Sequence, residues 1–353
     1  MALSRWFAIA GAAALLSGHA VAQPGGRPPQ APKVPAADAQ STKIVAAANA
    51  FLATLSDDQR KIALFGFKDT KQRLNWSNFP NGAYPRAGVA WGDLNPDQRA
   101  ALMQMLGAVL SPKGVTMVRD QMRADDILKA TAPPDPPNLP PANFGSQNYH
   151  VSFVGAPSVT APWMLQFGGH HMALNATVVG PDVTLSPSLT GGQPLKYVQD
   201  GKPVYTVGDE ARTSMALLNS LSPAQRAKAV INAQRINLIL GPGHDGQTLQ
   251  PEGLPGSAMT EAQKPLFVAV IESRLGLLNA DDAAPEMAAV RKYLNDTYFA
   301  WWGPAKEGEA YFRVTGPTVL IEFAPQPDGG ADHAHNIYRD STNEYGAAWT
   351  PLR

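Results

Sequence analysis

This 353-residue chain reads as an α+β protein, internally duplicated. Each half is expected to be a helical part followed by a small antiparallel β part, the two packed as one pseudo-twofold unit. Three observations lead there: a phrase that recurs at a fixed offset, the helix-start chemistry inside that phrase, and a switch from helical to strand-like text in both halves. Residues 50–60 read AFLATLSDDQR and residues 216–226 read ALLNSLSPAQR, with six of eleven positions identical at an offset of 166. A weaker pair, Leu94–Arg99 and Met259–Lys264, recurs at 165. Between them Pro85-Arg86-Ala87-Gly88 stands opposite Pro251-Glu252-Gly253.

The phrase has a physical meaning. Ser56, Asn95, Ser222 and Thr260 are each followed three residues later by a glutamine, namely Gln59, Gln98, Gln225 and Gln263. That is the capping box, in which the cap oxygen accepts from a first-turn N–H and the glutamine reaches back to the cap. Pro96 and Pro223 fall at the first helical position, where a missing N–H costs nothing. A further helix is expected after each pair of boxes, over 112–130 and 284–300. The text then turns β-branched and aromatic, bounded by Gly and Pro: Tyr149–Gly155 and Pro162–Phe167 in the first half, Tyr311–Gly316 and Pro317–Phe323 in the second. Residues 42–205 and 206–353 are accordingly the two repeats of one compact unit.

The segments before the repeats read as an export signal followed by a linker. Arg5, the apolar run Trp6–Leu16 and the small-x-small triplet Ala20-Val21-Ala22 fit a cleavable signal peptide over 1–22. Residues 23–41, rich in Pro, Gly, Ala and Gln, have little to bury and read as a disordered linker. The expectation is a bacterial protein sent by the general export route to the periplasm or secreted. No later run suits an integral membrane segment after signal cleavage. There is no cysteine, which excludes disulfides, thiol chemistry, thiolate zinc sites and iron–sulfur clusters. Lys+Arg and Asp+Glu are both 29, with no basic block, which argues against nucleic acid as a partner. Nothing in the pattern sets an oligomeric state.

Chemistry concentrates in histidines. Gly168-Gly169-His170-His171 follows one strand-like run, and His333-Ala334-His335 follows another. His170 to His333 is 163 residues and His171 to His335 is 164, so the pairs read as roughly repeat-equivalent. On a strand, residues i and i+2 share a face, so His333 and His335 can chelate together, whereas adjacent His170 and His171 would diverge and one would pack or orient. Three imidazoles with an open position suit one transition metal ion, Zn, Cu or Fe, with Glu322 or another carboxylate completing the shell. The competing reading is that these histidines are satisfied structural groups.

Arg73, Trp76 and Arg86 lie in a segment more polar than its second-half counterpart and form a candidate site for an anionic ligand, through forked donors and ring stacking. Equally, they pack over a helix end. Arg339 and Asp340 are candidates to fix a ligating histidine, or to close the C-terminal loop as a salt bridge. His244, in Gly241-Pro242-Gly243-His244-Asp245-Gly246, reads as a turn residue, and His150 as a strand residue packed or at the surface. There is no Gly-x-Ser-x-Gly, no phosphate-cradling Gly-rich loop before a Lys, and no His-Glu-x-x-His. A nucleotide cofactor is therefore not expected, and no catalytic residue is assigned.

Three motifs in order, Arg-Leu-Asn-Trp-Ser-Asn-Phe-Pro at 73–80, Pro-Trp-Met-Leu-Gln-Phe-Gly-Gly-His-His at 162–171 and His-Asn-Ile-Tyr-Arg-Asp-Ser-Thr-Asn-Glu-Tyr-Gly at 335–346, resemble an exported bacterial family known as domain of unknown function 3500. The resemblance runs from about residue 45 to the end. It implies export and a single-unit architecture and singles out the Gly-His-His and C-terminal His segments, but carries over no catalytic role. Two functions follow as expectations: a metal-dependent hydrolase or oxidoreductase acting on a small molecule, or a non-catalytic exported binding protein for a metal ion or small anionic ligand.

Overall fold

The computed structural model describes residues 33–135, 141–327 and 332–350. Residues 1–22, read as a signal peptide, and most of residues 23–41, read as a linker, therefore lie outside the described residues. The linker ends sooner than expected: helix α1 (Ala39–Thr54) starts where Asp38 accepts the Ser41 N–H at 2.7 Å, a side-chain cap that residues 39–41 then extend as helix. α2 (Asp57–Ala63), α3 (Pro96–Val109) and α4 (Pro112–Thr131) complete the first helical part. α5 (Gly208–Ser220), α6 (Pro223–Ala229), α7 (Lys264–Leu275) and α8 (Ala280–Lys292) form the second. No helix among the described residues is long and apolar enough to cross a membrane.

The boxes at Ser56, Asn95 and Ser222 form in full; at Thr260 only the glutamine arm forms, Gln263 accepting the Thr260 N–H at 2.9 Å. The glutamines also meet in pairs. Gln59 and Gln98 exchange amide hydrogen bonds of 3.4 and 2.8 Å, and Gln225 and Gln263 exchange bonds of 2.8 and 2.9 Å. Gln98 further donates to Thr54 O and Gln263 to Ser220 O, each at 2.8 Å. The spare donors of the caps thus tie neighbouring helix starts together.

The β text is larger than two small parts. One mixed sheet of thirteen strands runs through the described residues. Its eight main strands are β1 (His150–Val154), β2 (Trp163–Gly169), β3 (Met172–Val179), β4 (Ser188–Gly192), β5 (Tyr298–Trp302), β6 (Tyr311–Thr315), β7 (Leu320–Pro325) and β8 (Ala334–Arg339). They lie in the order β1-β2-β3-β4-β8-β7-β6-β5, all neighbours antiparallel. Two series of four therefore join through their last strands, β4 and β8. At one edge Leu64–Phe65 runs parallel to β1 and Val89–Ala90 antiparallel to it. At the other, Val230–Asn232 runs parallel to β5 and Leu254–Pro255 antiparallel.

The helix expected over 284–300 stops at Lys292, because the aromatic run Tyr298-Phe299-Ala300-Trp301-Trp302 is taken up by β5, which pairs fully with β6. Both sheet faces are covered, so the main strands are almost wholly buried, and alternate residues serve different cores. On β8, Ala334 and Tyr338 join the apolar core under α5, α7 and α8, whereas Ile337 packs on the opposite face with Trp76, Leu189 and Tyr345. That opposite face carries loops and the one-turn helix Thr70–Arg73, whose Gln72 bonds Ser152 and Gln166, and it holds the histidines.

Candidate metal centre

His170 and His171 occupy the tight turn between β2 and β3, and His333 and His335 lie at the start of β8. Strand order puts the pairs at different places in their series, after the second strand in one and before the fourth in the other. Their matching spacing therefore does not mark matching positions. They meet across β4, which lies between β3 and β8; at its Gly191, paired with His335, an added Cβ would meet Ala334 O at 2.3 Å, so β4 and β8 approach closely there.

His171, His333 and His335 form a buried group whose ligand atoms all lie within 4.8 Å of one another. His171 Nε2 is 2.9 Å from His333 Nε2, and the ring centroids are 4.8 Å (171–333), 5.1 Å (171–335) and 5.1 Å (333–335) apart. The i, i+2 pairing of His333 and His335 holds. The divergence of His170 from His171 does not. His171 has φ 62, in the left-handed region that non-glycine residues seldom enter, so the turn is not regular strand. The two rings lie close at a tilt, with centroids 3.7 Å apart and planes 31° from parallel. His170 stays outside the group and bonds Asp125 through Nδ1 at 2.7 Å. Asp125, on α4, also accepts the Gly145 N–H at 2.9 Å, and Tyr149 O–H donates to His170 O at 2.7 Å.

Burial, then the neighbouring imidazoles, then Arg86 hold His171 well below the usual histidine range. Burial with His333 and His170 pushes His335 down to about 3. Both rings are neutral at pH 7, with lone pairs available, and Asn78 caps them. Its carbonyl accepts the His171 N–H at 3.1 Å, and its Nδ2 lies 3.2 and 3.4 Å from the two nitrogens of His335. The three residues are 3%, 8% and 9% exposed. Clustered buried imidazoles of this kind can hold a transition metal ion.

The other expected site residues do different work. Glu322 does not complete the shell: its carboxylate accepts from the Ile239 and Leu240 N–H groups at 2.9 and 2.8 Å and from Tyr311 O–H at 2.6 Å, fixing a loop. Arg73, Trp76 and Arg86 do not converge on a ligand. Arg73 donates to Tyr345 O at 3.0 Å and lies over the Phe67 ring, and Trp76 Nε1 donates to Tyr345 Oη at 2.6 Å. Arg86 Nη2 donates to the carbonyls of Ser77, Phe79 and Gly169 at 2.7, 2.7 and 2.8 Å, clamping the Asn78 loop to the histidine turn. Trp76 and Arg86 also border a cavity of about 20 Å³ floored by Gln166 and Asn175, which has room for about one water.

Arg339 and Asp340 do not orient a histidine. Arg339 donates to Leu240 O and Gly241 O at 3.0 and 2.9 Å and pairs with Glu344, so it closes the C-terminal loop. Asp340 accepts from Thr342 N–H and O–H at 2.8 and 2.7 Å. His244 keeps its turn role, its Nδ1 3.2 Å from Gln247 Oε1, and His150 begins β1 half-buried with its Nδ1 2.9 Å from Asn148 O. Asp125 and Asn78 are the two site residues that sequence reasoning missed. The available signal for Asp125 was a carboxylate on the apolar stripe of α4, beside Val118, Met122 and Leu128.

Fold and site together define an α+β protein with a buried three-histidine group at the seam of a continuous sheet. The chain belongs to the family described as protein of unknown function (DUF3500), whose model matches residues 37–347. No curated protein and no solved structure matches it.

Proposed function

We propose that this is an exported metalloprotein holding one transition metal ion through His171, His333 and His335, with a coordination position left for an exogenous ligand. That is the arrangement of a metal-dependent hydrolase or oxidoreductase. The carrying observation is the group itself: three buried imidazoles, drawn from two distant segments, with ligand atoms within 4.8 Å and no carboxylate among them. The export part of the reading rests on the signal-like text of residues 1–22.

The reading includes a duplication, with the ion at the junction of the copies. Its support is the repeated wiring: glutamine pairs reaching Thr54 O in one half and Ser220 O in the other, at an offset of 166. Gly88 and Gly253 lend further support, at φ 100 and 94, where an added Cβ would meet Val151 O or Phe299 O at 2.2 Å in either case. A second reading, a non-catalytic exported metal-binding protein, is favoured by the Asn78 loop that nearly covers the rings.

The test is metal content by elemental mass spectrometry on mature protein purified without a His tag, beside a His333→Ala/His335→Ala double variant. One ion per chain, lost in a variant that still folds, is the expected result. Protein that emerges metal-free and takes up no added Zn, Cu or Fe refutes the site.

A further inference from the structure

We infer that this protein has a second ligand site, a cleft between its two helical parts that takes a small alkylammonium, that is, a protonated primary amine on a short apolar stem. The site is independent of the metal reading. The cleft has a volume of about 220 Å³, below the roughly 300–1,000 Å³ of sites for drug-sized ligands. The start of α4 lines it through Lys113 and Asp120, and the start of α5 through Asp209 and Glu210, with Tyr205 just before that helix. Lys113 is exposed, so the cleft reaches solvent.

Its carboxyls are unequally matched. Asp209 accepts from Lys113 at 2.9 Å and from Arg212 at 2.5 Å. Lys113 also donates to Ser273 O at 3.0 Å. Glu210 is only 5% exposed, yet among the described residues no other residue bonds or pairs with its carboxyl, which meets only its own backbone N–H. Burial pushes that carboxyl up, and Arg274 and Lys113, acting from beyond ion-pair distance, offset the rise only in part. Arg274 is itself spent on Thr190 and Ser188. Asp120 likewise has no partner for its carboxyl among the described residues, and burial pushes it up. The Tyr205 hydroxyl is buried and, among the described residues, without a hydrogen-bond partner.

Two carboxyls and a hydroxyl left in this way accept hydrogen bonds, so the complementary species is a positively charged donor. A buried carboxylate without a partner costs free energy that such a cation returns. A metal ion fits less well, because among the described residues only the histidine group brings three ligand atoms close together. An ammonium carries three donors of its own and needs no such shell. Buried Met117 and Leu277 also line the cleft and give a stem of a few carbons an apolar surface.

Butylammonium is the probe. It is titrated into the full mature protein at neutral pH and low salt, by calorimetry and by saturation-transfer NMR, with 1-butanol and butyrate as controls of the same length. We expect saturable one-to-one binding of butylammonium, binding of butanol at least about tenfold weaker, and none of butyrate. Glu210→Gln keeps the shape, removes the charge and should weaken butylammonium about tenfold, the effect of losing one hydrogen bond to a charged group. Asp120→Asn should weaken it severalfold. No saturable binding of butylammonium, or butanol bound as tightly, refutes the site. So does unchanged affinity in Glu210→Gln. Should that variant unfold, Asp120→Asn decides: a severalfold loss supports the site, and unchanged affinity refutes it.

Discussion

Replacing Glu286 with glutamine should stabilise this protein at neutral to mildly alkaline pH and do little near pH 5. Glu286 lies on α8, its Oε2 3.3 Å from the Tyr338 hydroxyl. Burial pushes its carboxyl up to about 8, with Asp340 and Asp182 adding to the rise, from an ordinary value of 4.5. The folded state therefore keeps a proton that the unfolded chain gives up. For a group raised in this way, stability is fully present below the unfolded value and is lost as pH rises toward the folded one. At about pH 7.5 the gap is about 3 pH units, worth about 4 kcal/mol of lost stability. Glutamine keeps an acceptor for Tyr338 and has no proton to lose, so Glu286→Gln should gain most of that figure at about pH 7.5 and less than about 1 kcal/mol at about pH 5. Reversible urea denaturation of both proteins at the two pH values measures it. A variant no more stable than wild type at about pH 7.5, or equally stabilised at both, would show that the carboxyl is not held protonated by burial.

Four further outcomes are expected. Added Zn should raise the melting temperature of wild type by mass action and leave His333→Ala/His335→Ala unmoved; an equal rise in both would place the ion elsewhere. Gly191→Ala would set a Cβ 2.3 Å from Ala334 O, between β4 and β8, and should cost about 2–4 kcal/mol in denaturation experiments and weaken metal binding; a neutral effect would contradict the tight β4–β8 approach. Gln98→Ala and Gln263→Ala each remove a reach-back to a cap and a reciprocal amide pair, and should lose about 2 kcal/mol apiece by urea denaturation; a silent member would break the parallel between the halves. Tyr345→Phe removes the hydroxyl that accepts from Trp76 and donates to Asp245 at 2.5 Å, and should cost about 1–3 kcal/mol; an unchanged transition midpoint would mean that the C-terminal loop is held by its other contacts.

What the sequence by itself determined was local. Capping boxes are written in four consecutive residues, so helix starts at Ser56, Asn95 and Ser222 were legible to the residue, and a pattern repeated at one offset was legible without geometry. Strands of strong aromatic and β-branched text, β1, β2, β6 and β7, were legible too. β4, Ser-Leu-Thr-Gly-Gly, was not, since small residues carry little strand signal until two neighbours pair with them. The candidate site divides in the same way. Histidines in an i, i+2 pattern announced that His333 and His335 share a face. That His171 joins them while His170 turns to Asp125 was decided by a left-handed turn and by a helix 45 residues away in the chain. Glu322, Arg73, Arg86 and Arg339 looked available as isolated letters. The tertiary structure spends their donors and acceptors on backbone groups of distant loops, because a buried charge must be satisfied by whatever the fold brings beside it, and no local pattern records which groups those are.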